Sequence, residues 1–199
     1  VAASVNDDRT GVVGVLLAAG RGSRFDPAGE RNKLLQALPS GERVAAASAR
    51  ALLGAVSRVI AVVRPEDVVT AELLHGLGCD VVVCDDAGSG MAASLVCGVR
   101  HAQDADGWLI ALADMPYVQP ATMAALANAI AHGAPAIAAP LHAGRRGNPV
   151  AFARENLPAL LALCGDQGAR SILKNNPVNE LAVDDPGILQ DIDTPSDLQ

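Results

Sequence analysis

Val12-Val13-Gly14-Val15-Leu16-Leu17-Ala18-Ala19-Gly20-Arg21-Gly22-Ser23-Arg24-Phe25 is an apolar run that stops at a glycine-rich turn bearing two arginines, and Lys33 follows nine residues after Arg24. A run of this length, rich in β-branched residues and ended by glycine, reads as a buried strand. In open α/β sheets the turn after such a strand is where ligands bind. Small residues let the backbone approach an anion so that several N–H groups can point at it. Arg21, Arg24 and Lys33 add positive charge. The stretch therefore reads as a phosphate-binding loop at the carboxyl end of the first strand, although the same glycines would also serve a plain strand-to-helix turn. It is not a P-loop, because no GxxxxGK followed by Ser or Thr is present. It is not a dinucleotide fingerprint either, because Phe25 stands where the last glycine of GxGxxG would be.

The rest of the composition suits such a sheet. Of the 199 residues 50% are hydrophobic, yet the aromatics are only Phe25, Trp108, Tyr117 and Phe152. A core of Ala, Val, Leu and Ile fits helices packed on a largely parallel sheet. The length predicts one domain over 1–199, with the polar residues 1–10 as a flexible N-terminus. A formal net charge of −7 argues against a nucleic-acid partner, which calls for a positive footprint. No apolar run reaches a membrane-spanning length, and residues 1–10 do not resemble a signal peptide. Cys79, Cys84, Cys97 and Cys164 lack metal-type spacing and read as free thiols of a cytoplasmic protein. His75, His101, His132 and His142 are scattered, without an HxxxH or HExxH pair.

Along the chain, strands are predicted over 12–17, 58–63, 80–84, 107–113 and 136–139, alternating with helices over 44–55, 66–75, 90–102 and from 120. That alternation predicts βαβ units with right-handed crossovers. The rhythm then breaks. His142 to Phe152 reads as a hairpin or reversed strand, 154–163 and 167–174 as short helices, and 180–183 and 188–192 as extended segments.

Asp114 ends the strand WLIALA and is followed by Met115-Pro116. A carboxylate there faces the ligand crevice and suits Mg²⁺, which takes one or two carboxylates together with phosphate oxygens; the alternative is a helix cap. Asp191 and Asp193 stand two apart, so in a strand both would project from one face and one of them could complete the metal site. Ser89-Gly90-Met91, with Ser94, opens a helix whose free N–H groups suit an anion or a base edge; Ser89 as a simple cap is the other reading. Arg145 and Arg146 lie in a glycine-flanked turn before Asn148, either as phosphate ligands or as a solvated hairpin tip. Arg170, after Gly165-Asp166, is a further phosphate candidate.

Together the motifs LLAAGRGSRF with Lys33, GSGMAASLVCGV, LADMP, GRRGNPVAF, GDQGAR and DIDTPSDL resemble, in order, those of the MobA-like nucleotidyltransferases. LAAG and GMAASL are most similar to the molybdenum cofactor cytidylyltransferases of that group. The resemblance implies an α/β, three-layer, glycosyltransferase-A-like fold with a mostly parallel, mixed seven-stranded sheet. It implies CMP transfer from CTP, or a related transfer from another nucleoside triphosphate, to a molybdopterin-type acceptor, with Mg²⁺ as cofactor, pyrophosphate as product and a recipient molybdoenzyme as partner. On the same ground Leu17, Ala18, Ala19, Gly20, Arg21, Gly22, Ser89, Gly90, Met91 and Ser94 would bind the nucleotide, and Arg24, Lys33 and Asp114 would be catalytic. Asp114 with Asp193 or Asp191 would hold the metal, and Arg145, Arg146 and Asn148 would meet the acceptor. Three features depart from the group: Phe25 replaces Met, the 26–32 loop is longer, and Asn148 replaces His. Transfer from GTP, a sugar-phosphate or polyol-phosphate acceptor, or a non-catalytic cofactor-binding module are the alternative readings.

Overall fold

The computed structural model describes residues 11–28, 30–131, 135–166 and 168–198, so the expectations for residues 1–10, His132 and Gln167 lie outside the described residues. The strands are β1 (Val12–Leu17), β2 (Val59–Val63), β3 (Asp80–Val83), β4 (Gly107–Leu112), β5 (Ile137–His142), β6 (Arg145–Arg146), β7 (Val150–Ala153) and β8 (Asn179–Ala182). The helices are α1 (Val44–Leu53), α2 (Val68–Gly76), α3 (Met91–Arg100), α4 (Pro120–Ala131), α5 (Leu157–Leu161) and α6 (Arg170–Asn175).

The strands form one mixed sheet in the order β3-β2-β1-β4-β7-β5-β6, with β8 also paired to β5. β1, β2, β3 and β4 run parallel, and β7 is inserted antiparallel between β4 and β5. The chain first winds outward from β1 to β3, then returns through α3 to β4 on the other side of β1. The loops leaving β1 and β4 therefore part, and a crevice opens at their carboxyl ends.

Alternation along β1 builds two cores. Val12 and Leu16 join the layer under α1 and α4, while Val13 and Val15 join the layer under α3. Glycines set both layer spacings. A Cβ on Gly14 would lie 2.9 Å from Leu52 of α1, and one on Gly98 of α3 would lie 2.5 Å from Val15 and 2.9 Å from Val62. Both helices thus sit on the central strands at a distance no larger residue allows.

Several expectations are corrected. The sheet holds eight strands rather than seven, because Arg145–Arg146 pairs back on β5. Residues 188–192 are not a strand: Asp185 accepts from the Gly187 N–H at 3.0 Å and starts a 3-10 turn over Pro186–Leu189. Residues 154–163 divide into a 3-10 turn (Arg154–Asn156) and α5, and the 66–75 helix begins at Val68, capped by the Asp67 side chain. Among the described residues no helix is long and apolar enough to cross a membrane.

Replacing Gly98 by Leu forces side-chain atoms into Val15 and Val62. Chemical denaturation should show a loss of about 1–3 kcal/mol or more from overpacking.

Candidate active site

The loop after β1 closes on itself before it reaches Lys33. Gly22 adopts φ +62°, open to glycine at little cost, and its carbonyl accepts from the N–H groups of Phe25 (2.9 Å) and Asp26 (3.1 Å). Phe25, 3% exposed, anchors the turn in the core. Asp26 then accepts from the N–H groups of Arg31 (2.7 Å) and Ala28 (3.2 Å), and the Arg31 guanidinium lies 5.6 Å from the Phe25 ring centre. The Arg31 N–H bond, above all, holds the Asp26 carboxyl below its usual range. The turn therefore keeps its charged clasp at neutral pH and loses it only as pH falls below the ordinary carboxylate range.

Asn32 fixes the turn that carries Lys33. Its Oδ1 accepts from Leu34 N–H at 3.0 Å, and its Nδ2 donates to Asp67 Oδ2 (2.7 Å) and Thr70 Oγ1 (3.1 Å) at the start of α2. Asp67 and Thr70 are themselves buried. Lys33, with its side chain 9% exposed, reaches Asp114 Oδ2 at 2.6 Å and Asp193 Oδ1 at 3.5 Å.

Asp114 stands just past β4, where the Ser48 hydroxyl donates to the Ala113 carbonyl at 3.0 Å. The Asp114 carbonyl accepts from Ile192 N–H at 2.8 Å, and Ile192 is buried. That single backbone bond draws the C-terminal segment onto the crevice and delivers Asp193 to Lys33. Asp197 secures it by accepting from the N–H groups of Asp193 (3.0 Å) and Thr194 (2.6 Å) and from the Thr194 hydroxyl (2.8 Å). Those bonds, the Thr194 hydroxyl first, hold the Asp197 carboxyl below its usual range. Asp193 also pairs with Arg24.

Two cavities meet at this ion cluster. One, of about 330 Å³, runs between the β1 loop and the start of α3, with Leu17, Ala19, Leu34, Met91, Ser94 and Asp166 among its walls. The other, of about 520 Å³, is bordered by Arg24, Arg146, Asn148, Arg170, Asp191 and Asp193. Gly20, Arg21, Lys33, Met91, Leu112 and Asp114 line both. The first is small and largely apolar with a cationic end; the second is wider and carries four arginines, Arg21 among them.

The structure thus gathers Leu17, Ala19, Gly20, Arg21, Gly22, Arg24, Lys33, Gly90, Met91, Ser94, Asp114, Arg146, Asn148 and Asp193 around the crevice. Others fall elsewhere. Ala18 is buried, its N–H bonded to the Val62 carbonyl at 2.9 Å, so it supports the loop without lining a cavity. Ser89, the last residue of the 3-10 turn over Asp85–Ser89, borders a separate cavity with Cys84, Cys97 and Cys164 and lines neither of the two at the ion cluster. Arg145 pairs with His142 at an exposed hairpin tip and lines neither cavity, whereas its neighbour Arg146 bonds Glu180 (3.0 Å) and borders the wider one. Asp191 borders the wider cavity but makes no ion pair with Lys33 among the described residues, since 190–193 is not a strand. Burial, above all, pushes the Cys97 thiol up to about 11, leaving it protonated at neutral pH.

Sequence reading missed three residues. Asn32 and Asp197 act through the backbone beside a charged residue, and only the spacing of Asp197 from Asp193 hinted at it. Asp166 reaches the smaller cavity because Gly90 (φ +117°) has no side chain: a Cβ there would lie 2.3 Å from the Asp166 Oδ1.

The family model of the MobA-like NTP transferase domain matches residues 14–181. The chain belongs to this family. It is a nucleotidyltransferase, in keeping with a crevice that joins a cationic loop to paired carboxylates. This MobA-like transferase is 33% identical to the purine catabolism protein PucB of Bacillus subtilis, over 94% of this chain and 93% of that protein. It is 28% identical to the nicotine blue oxidoreductase of Paenarthrobacter nicotinovorans, over 92% of each. Among solved structures, a nucleotidyl transferase from Methanothermobacter superposes with a TM-score of 0.78 at 28% identity, covering 94% of this chain and 93% of that one. Rv0371c of Mycobacterium tuberculosis, in complex with manganese, superposes with a TM-score of 0.72 at 27% identity, covering 94% and 95%.

Replacing Asn32 by Ala strips the cap from the Lys33 turn and leaves Asp67 short of a donor. Urea denaturation should record a loss of about 1–2 kcal/mol.

Proposed function

We propose that this chain transfers CMP from CTP to the terminal phosphate of a molybdopterin-type molybdenum cofactor, releasing pyrophosphate in a Mg²⁺-dependent reaction in the cytoplasm, the product passing to a recipient molybdoenzyme. The observation that carries this reading is the meeting of the two cavities at Lys33 and Asp114. A nucleotide in the smaller cavity would present its α-phosphate there to an acceptor phosphate in the wider one. The LAAG and GMAASL motifs support CTP as donor. With Ala19 and Met91 as apolar walls, Ser94 and the backbone of Gly88 and Gly90, which line the same cavity, would meet a base edge.

The donor set suits a divalent ion. Among the described residues no group of three or more His, Cys, Asp and Glu side chains could hold a metal, so the protein offers a carboxylate pair, Asp114 and Asp193. Mg²⁺ commonly takes one or two carboxylates and completes its shell with phosphate oxygens and water. The manganese complex of the similar mycobacterial protein supports a divalent ion as well. When bound, the ion would neutralise charge on the phosphate oxygens.

The protein's own part is positioning and charge. An ionised acceptor phosphate is already a nucleophile and requires no base. Its oxygen would attack the α-phosphorus as the bond to the bridging oxygen breaks, and the charge gathering on pyrophosphate would be met by Lys33, Arg24 and Arg21 and by the N–H groups of Gly20–Gly22. Arg146 and Arg170 would hold the acceptor's phosphate, with Asn148 beside it.

Pyrophosphate release measured with CTP, GTP, ATP and UTP, each with and without molybdenum cofactor or sugar phosphates, tests both substrates. Release is expected with CTP and molybdenum cofactor together; equal release with a sugar phosphate refutes the acceptor, and a preference for GTP refutes the donor. Asp114→Asn should abolish transfer while the circular dichroism stays native. Lys33→Met should lower kcat about a hundredfold or more.

A further inference from the structure

Lys33 lies where a divalent cation would have to lie. Its ammonium contacts Asp114 Oδ2 at 2.6 Å and Asp193 Oδ1 at 3.5 Å, while Arg24 takes Oδ2 of the same Asp193. The carboxylate pair is thus matched by side-chain cations before any ligand arrives. A divalent ion added to the same oxygens would sit within a few ångströms of the ammonium, and repulsion at that range in a partly buried site is strong. A metal taking these oxygens therefore displaces Lys33 from them.

Lys33 has a destination within the crevice. Its side chain is 9% exposed, so it is held inside the crevice rather than in open water. It does line the smaller cavity, beside Gly20 and Arg21. A flexible stem ending in three rotatable donors can swing there from a carboxylate to a phosphate oxygen. The exchange is self-consistent: phosphate takes the ammonium, and the freed carboxylates take the metal.

We infer that Lys33 is a resident counter-ion that keeps the Asp114–Asp193 pair closed to free metal, so that the enzyme accepts the divalent ion together with the nucleoside triphosphate as one unit. This rests on the metal assignment proposed above. By linkage, nucleotide and metal then raise each other's affinity by the same factor.

The test is calorimetric titration of Mn²⁺ into the full chain, alone and with saturating α,β-methylene CTP, for the wild type, Lys33→Met and Lys33→Met/Asp114→Asn. Wild type should bind Mn²⁺ weakly alone and about tenfold or more tightly with the analogue. Lys33→Met should bind Mn²⁺ alone about tenfold more tightly than wild type and gain less from the analogue than wild type does, since only the phosphate ligands then contribute. Lys33→Gln, which keeps a donor for Asp114, gives the same reading if the Met variant fails to fold. Mn²⁺ binding to Lys33→Met that is no tighter than wild type, or an undiminished gain from the analogue, overturns the inference. The double variant separates the two ideas. If it binds Mn²⁺ as tightly as Lys33→Met, the assignment of metal to Asp114 fails; if it loses Mn²⁺ while Lys33→Met shows no gain, only the counter-ion role fails.

Discussion

The Lys33 ammonium, held between Asp114 and Asp193, ties together three pieces of chain far apart in sequence: the loop after β1, the end of β4 and the C-terminal segment. Each is delivered by a different device. Asn32 turns Lys33 inward against α2, β4 carries Asp114 to the sheet's edge, and the Ile192 to Asp114 backbone bond brings Asp193 across. An acidic protein therefore keeps a locally basic crevice, because the acidic side chains at its floor are already engaged and Arg21, Arg24, Arg146 and Arg170 rim the rest.

The sheet makes this convergence possible. Winding outward from β1 and returning to β4 parts the two loops, and an open α/β sheet binds its ligand at such a point. Gly14 and Gly98 let α1 and α3 press onto the central strands. α3 thereby starts at the right depth for Gly90 and Met91 to wall the smaller cavity. β6, paired on β5, and the turn from it into antiparallel β7 beside β4 bring Arg146 and Asn148 to the opposite wall. Packing and site are one construction.

Much of this was legible in the sequence. The alternating elements through β5 carry strong periodicity, and Asp114 at a strand end followed by Met-Pro marks its own position. Lys33 was legible as a charge near the loop, but not its placement. The stretch from Asp26 to Asn32 departs from the family pattern, and the Asp26 and Asn32 clasps absorb the extra length. Asp191 and Asp193 were indistinguishable by spacing, since period two places both on one face only in a strand, and Asp185 replaces that strand with a 3-10 turn.

By itself the sequence determined the α/β winding, the cationic loop after the first strand, the carboxylate after the fourth and membership among MobA-like transferases. These are readable because periodicity, glycine turns and motif order are local properties of the chain. Only the tertiary structure decided that Lys33 meets Asp114, that Asp193 rather than Asp191 joins them, and that Ser89 borders a separate cavity while Asp166 lines the smaller one at the ion cluster. Those outcomes depend on long-range hydrogen bonds and on the clearance at Gly90, and neither leaves a mark in local spacing.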